Sequence, residues 1–248
     1  MDLTKRTALV TGGGRGIGRA IALGLAGSGA RVAVLARSAE QVEETVRLVH
    51  DAGGDALAVT ADVTDDDAVA ASLARIGPMD VLVNNAAVVW PLGPTWTVDP
   101  AEWAAAIAVN VTAVARLSLA VLPGMLDAGW GRIVNVSSGI VGSPGNMIGG
   151  NAYVTSKAAL EAHSINLAAE LAGTGVTVNV YRPGTVDTAM QTWIRDQDGS
   201  DIPELHQRFH HMYREGLLST PEQSAAALVP RIVGTETGRI WNADDPVR

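Results

Sequence analysis

The stretch GGNAYVTSKAAL, residues 149 to 160, sets Tyr153 and Lys157 four positions apart. On a helix that spacing stacks two side chains on one face about one turn apart, so a phenol receives an ammonium for a neighbour. A phenol near its ordinary pKa of about 10 is a poor proton donor at neutral pH, and a nearby cation that stabilises the phenolate makes it a better one. The pair suits general acid work, in which a phenol hands its proton to a substrate. A lone YxxxK also describes an ordinary surface pair, so its meaning depends on what the rest of the chain supplies.

A second motif supplies a reason for hydride chemistry. The apolar run TALV leads into TGGGRGIG, residues 11 to 18, and then into the helical pattern RAIALGLAGSG. Gly12, Gly16 and Gly18 allow a tight turn and close backbone approach to a pyrophosphate, while the helix N-terminus offers N–H groups and a positive dipole. The spacing is TGxxxGxG and departs from GxGxxG. The second apolar run ends at Ala36 and Arg37, where an acidic residue would grip a ribose 2′-hydroxyl. A carboxylate there would repel a 2′-phosphate, whereas Arg37, with Arg15 from the glycine loop, offers that phosphate cations; NADP(H) is therefore expected over NAD(H). In the third run, ADV places Asp62 and Val63 at a strand end, within reach of an adenine.

The elements that must position these groups are short β-branched runs alternating with alanine-rich helical segments: TALVTG, RVAVLAR, DALAVTAD, MDVLVNN, GRIVNVSS, GVTVNVYRPG and GRIWNA. Continuous apolar strands of this kind are buried on both faces, which predicts a doubly wound parallel α/β sheet with helices on each side. No boundary interrupts the series, so residues 1–248 are expected to form one domain. About 185–218 the texture becomes more polar, with a DQDGSD break, and reads as a substrate lid.

Composition limits the rest. The 248 residues are 47% hydrophobic and 18% charged, enough for a large core. With 26 acidic against 18 basic residues the net charge is -8, which argues against nucleic acid or an anionic membrane as a partner. There is no cysteine, hence no disulfide or thiolate metal site. The opening residues lack a signal-peptide core, and the apolar region 101–126 is interrupted by Glu102, Asn110, Arg116 and Pro123; a soluble, cytoplasmic protein with no membrane span is expected.

Taken in order, TGGGRGIG, ADV, NNAA, Asn110, NVSS, YVTSK and RPGTVDT make the chain resemble the short-chain dehydrogenase/reductases over nearly its whole length. The resemblance implies a Rossmann-type sheet of about seven strands in the order 3-2-1-4-5-6-7. It implies a catalytic set of Asn110, Ser138, Tyr153 and Lys157, with Asn110 holding a water that links Lys157 to solvent. It implies cofactor contacts from Gly12, Arg15, Gly16, Ile17, Gly18, Arg37, Asp62, Val63, Asn85, Tyr153, Lys157, Pro183, Gly184, Val186 and Thr188. It also implies a homotetramer or homodimer packed through two alanine-rich helices, about 99 to 126 and 151 to 172.

Three departures from the family pattern stand out. Ala87 replaces a glycine in NNAA; the Ser138 to Tyr153 gap is two residues longer than usual, leaving Ser137 and Ser143 as alternatives; and the C-terminal VDGG is replaced by GRIWNADDPVR. His206 and His210 have two-histidine spacing without HExxH, so an exposed lid face is expected and no metal. The run Asp65, Asp66, Asp67 should start a helix. Trp90, Trp96, Met147, Met190 and Trp193 suggest an apolar or aromatic ketone or a diketone as the small-molecule substrate. The runs DTAMQ and REGLLSTPEQSA resemble the sepiapterin and benzil reductase branch. The leading function is an NADPH-dependent carbonyl reductase; a 3-oxoacyl-thioester reductase, an alcohol dehydrogenase and a non-enzymatic cofactor sensor are the rivals.

Overall fold

The computed structural model describes residues 2–246. The apolar runs become parallel strands β1 (Thr7–Thr11), β2 (Arg31–Ala36), β3 (Asp55–Thr60), β4 (Val81–Asn84), β5 (Gly131–Val136), β6 (Val176–Arg182) and β7 (Ile240–Asn242). They form one sheet in the order β3-β2-β1-β4-β5-β6-β7, the order expected, with every pairing parallel. The chain reverses direction of travel between β1 and β4, so the crevice beyond their carboxyl ends is the place where such sheets bind ligands.

Helices α1 (Gly16–Gly27), α2 (Ala39–Asp51) and α9 (Pro221–Ile232) cover one face, and α3 (Asp66–Ile76), α4 (Pro100–Ile107), α5 (Ala113–Asp127) and α6 (Asn151–Glu170) the other. Strand residues alternate between the layers: Ala8 and Val10 pack with Ile21, Leu25 and Leu228, while Leu9 packs with Leu117, Met125 and Leu167. Burial of the strands on both sides explains why they read as unbroken apolar runs. Asp65 caps α3 by accepting from the Ala68 N–H at 2.9 Å, with Asp66 and Asp67 in the first turn, as the acidic run suggested.

Pro100–Asp127 runs 28 residues and contains an 18-residue window with a mean hydropathy of 1.9, long and apolar enough to cross a bilayer by those measures alone. The interruptions noted in the sequence are therefore a weaker argument than the packing: Ala113, Leu117, Val121 and Met125 lie on the sheet beside Leu82 and Ile133. The segment is not a uniform α-helix. Ala108–Thr112 form a π-helical turn between α4 and α5, and Asn110 sits in it. Such bulges re-aim side chains and carbonyls and concentrate at functional sites.

After β6 come α7 (Ala189–Arg195) and α8 (Pro203–Arg214). Their base is drawn together by the Val186–Ser219 bridge and by the Ser219 N–H donating to the Thr185 carbonyl at 2.9 Å.

Candidate active site

The glycine turn is held from behind, which leaves its front free. The Asn85 amide donates to the Thr11 and Gly12 carbonyls at 3.0 and 3.3 Å, and the Thr11 hydroxyl accepts from the N–H groups of Asn85 and Ala86. Arg19 forks onto the Gly14 carbonyl and also donates to Thr45, whose hydroxyl in turn donates toward the loop carbonyls. A Cβ on Gly18 would stand 2.3 Å from the Gly12 carbonyl oxygen, and Gly12 itself has φ +63° with Ala86 2.9 Å from where a Cβ would be. Arg15, the N-cap of α1, supplies no side-chain cap, so the first amides of that helix face the crevice without a side-chain acceptor.

A cleft of about 380 Å³ opens in front of this turn. Gly12, Arg15, Gly16, Ile17, Gly18, Arg37, Asp62, Val63, Asn85, Tyr153, Lys157, Pro183 and Thr188 all line it. Gly184 and Val186 do not: Gly184 turns the chain at φ +79°, and Val186 is buried in the bridge to Ser219. Sequence reasoning missed Ser38 and Gln41 in the wall. Their signal was legible, because Ser38 caps α2 by accepting from the Gln41 N–H, a Ser-to-Gln spacing that marks a helix start.

At the ribose end Arg37 lies 3.8 Å from Asp62, both well exposed at 71% and 38%. Asp62 is thus more than an adenine contact. Burial pushes its pKa up, but hydrogen bonds from the Thr64 N–H and hydroxyl, with Arg37 nearby, more than offset this and hold it below the usual value.

The chemical end is built by α6 and the carboxyl end of β5. Tyr153 is 9% exposed, and the Ser138 side chain is the polar group that acts on its hydroxyl. The Lys157 Nζ donates to the Val136 carbonyl at 2.8 Å and stands 5.8 Å from the Tyr153 ring centre. The three candidate serines separate here. Ser137 lines the cleft but spends its hydroxyl on Glu161 at 2.8 Å, Ser143 is exposed, and Ser138 acts on Tyr153 while accepting from Ile140 N–H across the short 3-10 turn Gly139–Gly142.

Burial is the largest influence on the Tyr153 phenol and pushes its pKa up, with Ser138 opposing. Burial also brings Lys157 down to about 8, with Glu161 opposing, which makes the ammonium the group that titrates nearer neutrality. Both hydrogens of the Asn110 side-chain amide are committed within the protein. Its Nδ2 donates to the Val88 carbonyl at 2.8 Å and to Ser156 at 2.9 Å, and its Oδ1 accepts from the Val88 N–H at 2.9 Å. Fully buried, it clamps the loop after β4 to α6.

Above Tyr153, Val89, Met147, Ile194, Ile202, Leu205 and Phe209 form a buried apolar cluster, joined by Met190 and Trp193. Of the other aromatic candidates, Trp96 is 88% exposed. His206 and His210 are partly buried, not an exposed face: their Nε2 atoms lie 3.1 Å apart and each 3.2 Å from the Arg195 carbonyl at the end of α7. Among the described residues no three His, Cys, Asp or Glu side chains converge as a metal site.

The parallel sheet, its glycine turn at the β1–α1 junction and a crevice ending at Tyr153 and Lys157 define a dinucleotide-binding oxidoreductase of the Rossmann class. The family description for short chain dehydrogenase matches residues 6–199, and the chain belongs to that family. Among its relatives, the 3-oxoacyl-[acyl-carrier-protein] reductase FabG of Pseudomonas aeruginosa is 40% identical over 194 residues, 77% of each chain. A solved structure of a putative NAD(P)-dependent gluconate 5-dehydrogenase from Beutenbergia cavernae, with bound NADP, is 35% identical at a TM-score of 0.85, covering 98% of this chain and 96% of that one. A variant of actinorhodin polyketide ketoreductase solved with NADPH is 34% identical at a TM-score of 0.83, covering 96% and 95%.

Proposed function

We propose that the protein is an NADPH-dependent carbonyl reductase. The observation that carries this reading is Tyr153 with Lys157 beside it and Ser138 acting on its hydroxyl, at the end of a cleft whose other end presents Arg37. The residues present suit the dinucleotide: uncapped α1 amides for its pyrophosphate, Arg37 with Arg15 for a 2′-phosphate, and glycines where a Cβ would intrude. NADP and NADPH in the two related structures favour the same choice. Bound there, the cofactor supplies hydride to a carbonyl carbon.

The chain's own groups deal with the carbonyl oxygen. Ser138 donates a hydrogen bond to it as negative charge develops, and Tyr153 delivers the proton. The Lys157 ammonium stabilises the phenolate left behind and binds the cofactor ribose. Gly184 and Val186 shape the loop after β6 that flanks the cofactor, and Asn110 fixes the distance between the β4 loop and α6.

The apolar cluster over Tyr153 favours a ketone or diketone with apolar or aromatic flanks, in keeping with the sepiapterin and benzil reductase branch. The FabG relative makes 3-oxoacyl-thioester reduction the second reading. Residues 185–218 serve as the lid, α4–α5 and α6 as the faces of a homodimer or homotetramer, and the protein works in the cytoplasm. Initial rates over a panel of aromatic ketones, 1,2-diketones and 3-oxoacyl thioesters, each with NADPH and NADH, test the reading. The highest kcat/KM should fall on an apolar ketone or diketone with NADPH; highest rates on the thioesters favour the second reading, and no turnover of any carbonyl contradicts both.

A further inference from the structure

Glu161 lies one turn beyond Lys157 on α6 and is 6% exposed. A carboxylate at that depth must be paired and hydrogen-bonded. It is, three times over. The Ser137 hydroxyl donates to Oε1 at 2.8 Å, and Arg182 donates through Nε to Oε1 and through Nη2 to Oε2, both at 2.8 Å. The partners come from three segments that end in the site. Ser137 precedes Ser138 at the end of β5, Arg182 precedes Pro183 at the end of β6, and Glu161 shares α6 with Tyr153 and Lys157. None of these bonds is needed to close the sheet, whose β5–β6 ladder is complete in the backbone.

We propose that Glu161, forked by Arg182 and bonded by Ser137, is the positioning residue of this site: it locks the Ser138 segment, the Pro183 loop and the Lys157 turn into one register and sets the charge that Lys157 feels. The proposal rests on the reading of Lys157 as a working cation in carbonyl reduction. The groups around that ammonium are Tyr153 and Glu161 on its own helix, the Val136 carbonyl on β5, and Arg182 on β6 acting through Glu161. Burial draws Lys157 down to about 8, and Glu161 pulls the other way. Arg182 shields part of that pull. The ammonium needed for reduction is lost as pH rises, so removing the carboxylate should bring the alkaline decline to lower pH, and removing the guanidinium should carry it to higher pH.

The experiment is the pH profile of kcat, from pH 6 to 10 with NADPH and the best carbonyl substrate, for the parent, Glu161→Gln, Arg182→Gln, Ser137→Ala and Lys157→Ala. Glu161→Gln is expected to shift the alkaline limb acidward and Arg182→Gln alkalineward, each by a few tenths of a pH unit or more. Ser137→Ala alters no charge, and should lower kcat while leaving the limb in place. Simple loss of packing scales the whole profile and cannot move it in opposite directions. If one charge variant fails to fold, the other alone decides. Limbs that coincide with the parent, or that move the same way in both charge variants, overturn the proposal. Normal turnover by Lys157→Ala overturns instead the reading of the reaction on which it rests.

Discussion

Arg37→Asp separates cofactor choice from everything else in the site, because the structure makes its cost to folding small. The guanidinium is 71% exposed and touches Asp62 at 3.8 Å, also exposed, and such pairs contribute about 0–1 kcal/mol. A charge-assisted hydrogen bond to a 2′-phosphate contributes about 1.5–3 kcal/mol. The new carboxylate adds repulsion of about 1 kcal/mol at contact in a water-like medium. Together these come to about 2.5–4 kcal/mol against NADPH, or roughly two to three orders of magnitude at about 1.4 kcal/mol per tenfold. NADH has no phosphate to lose, so its kcat/KM should hold or rise. Initial rates with each cofactor at fixed substrate read the change, and a thermal melt shows that the fold persists. Equal use of both cofactors by the parent, or an unaltered NADPH preference in Arg37→Asp, would refute the reasoning.

The glycine turn and the Asn110 clamp give tests of structure. Gly18→Ala forces a methyl to 2.3 Å from the Gly12 carbonyl, so the turn must shift; about 1–3 kcal/mol of stability and most NADPH binding should go, read by melting and fluorescence titration. Asn110→Leu leaves the Val88 N–H and carbonyl without their buried partner, at about 1–3 kcal/mol for each, so the melting temperature should drop well below that of an exposed control such as His211→Gln. The pH dependence follows from burial. The phenol is pushed up and stays protonated, whereas Lys157, drawn to about 8, loses its ammonium first, so kcat for reduction should fall as pH rises through about 8. For stability the sign is opposite: the buried ammonium is a cost at pH values below about 8, and that cost is relieved between about 8 and the ordinary lysine range, visible as melting less depressed at alkaline pH than its other charges predict.

The strands and the glycine turn were legible in the sequence because both depend on local pattern: apolar runs buried on two faces, and glycines where β1 passes into α1. Tyr153 and Lys157 were legible for the same reason, since one helical turn fixes their relation. What pattern could not carry was the company each group keeps. Asn110 was placed in a helix, but the π turn that swings its amide onto Val88 and Ser156 is a tertiary matter. The direction of the Tyr153 shift depends on how deeply its ring is buried among Ile194 of α7 and Leu205 and Phe209 of α8, and those helices gave only a polar, broken texture. Glu161 and Arg182 stand 21 residues apart, and no short motif joins them. His206 and His210 had the spacing of a shared face, but only the position of α7 shows them capping its last carbonyl.

The central claim is that Tyr153 gives the proton. Single-turnover reduction of the best ketone by Tyr153→Phe, followed at 340 nm beside a separate NADPH titration, tests it most directly, because the phenyl ring fills the same volume in the cluster with Met147 and Ile194 while the hydroxyl is gone. The account predicts NADPH binding within a few-fold of the parent and a chemical step slower by about 10²–10⁴, the usual contribution of one acid–base residue. A Tyr153→Phe protein that binds NADPH normally and reduces the ketone at close to the parent rate would contradict it.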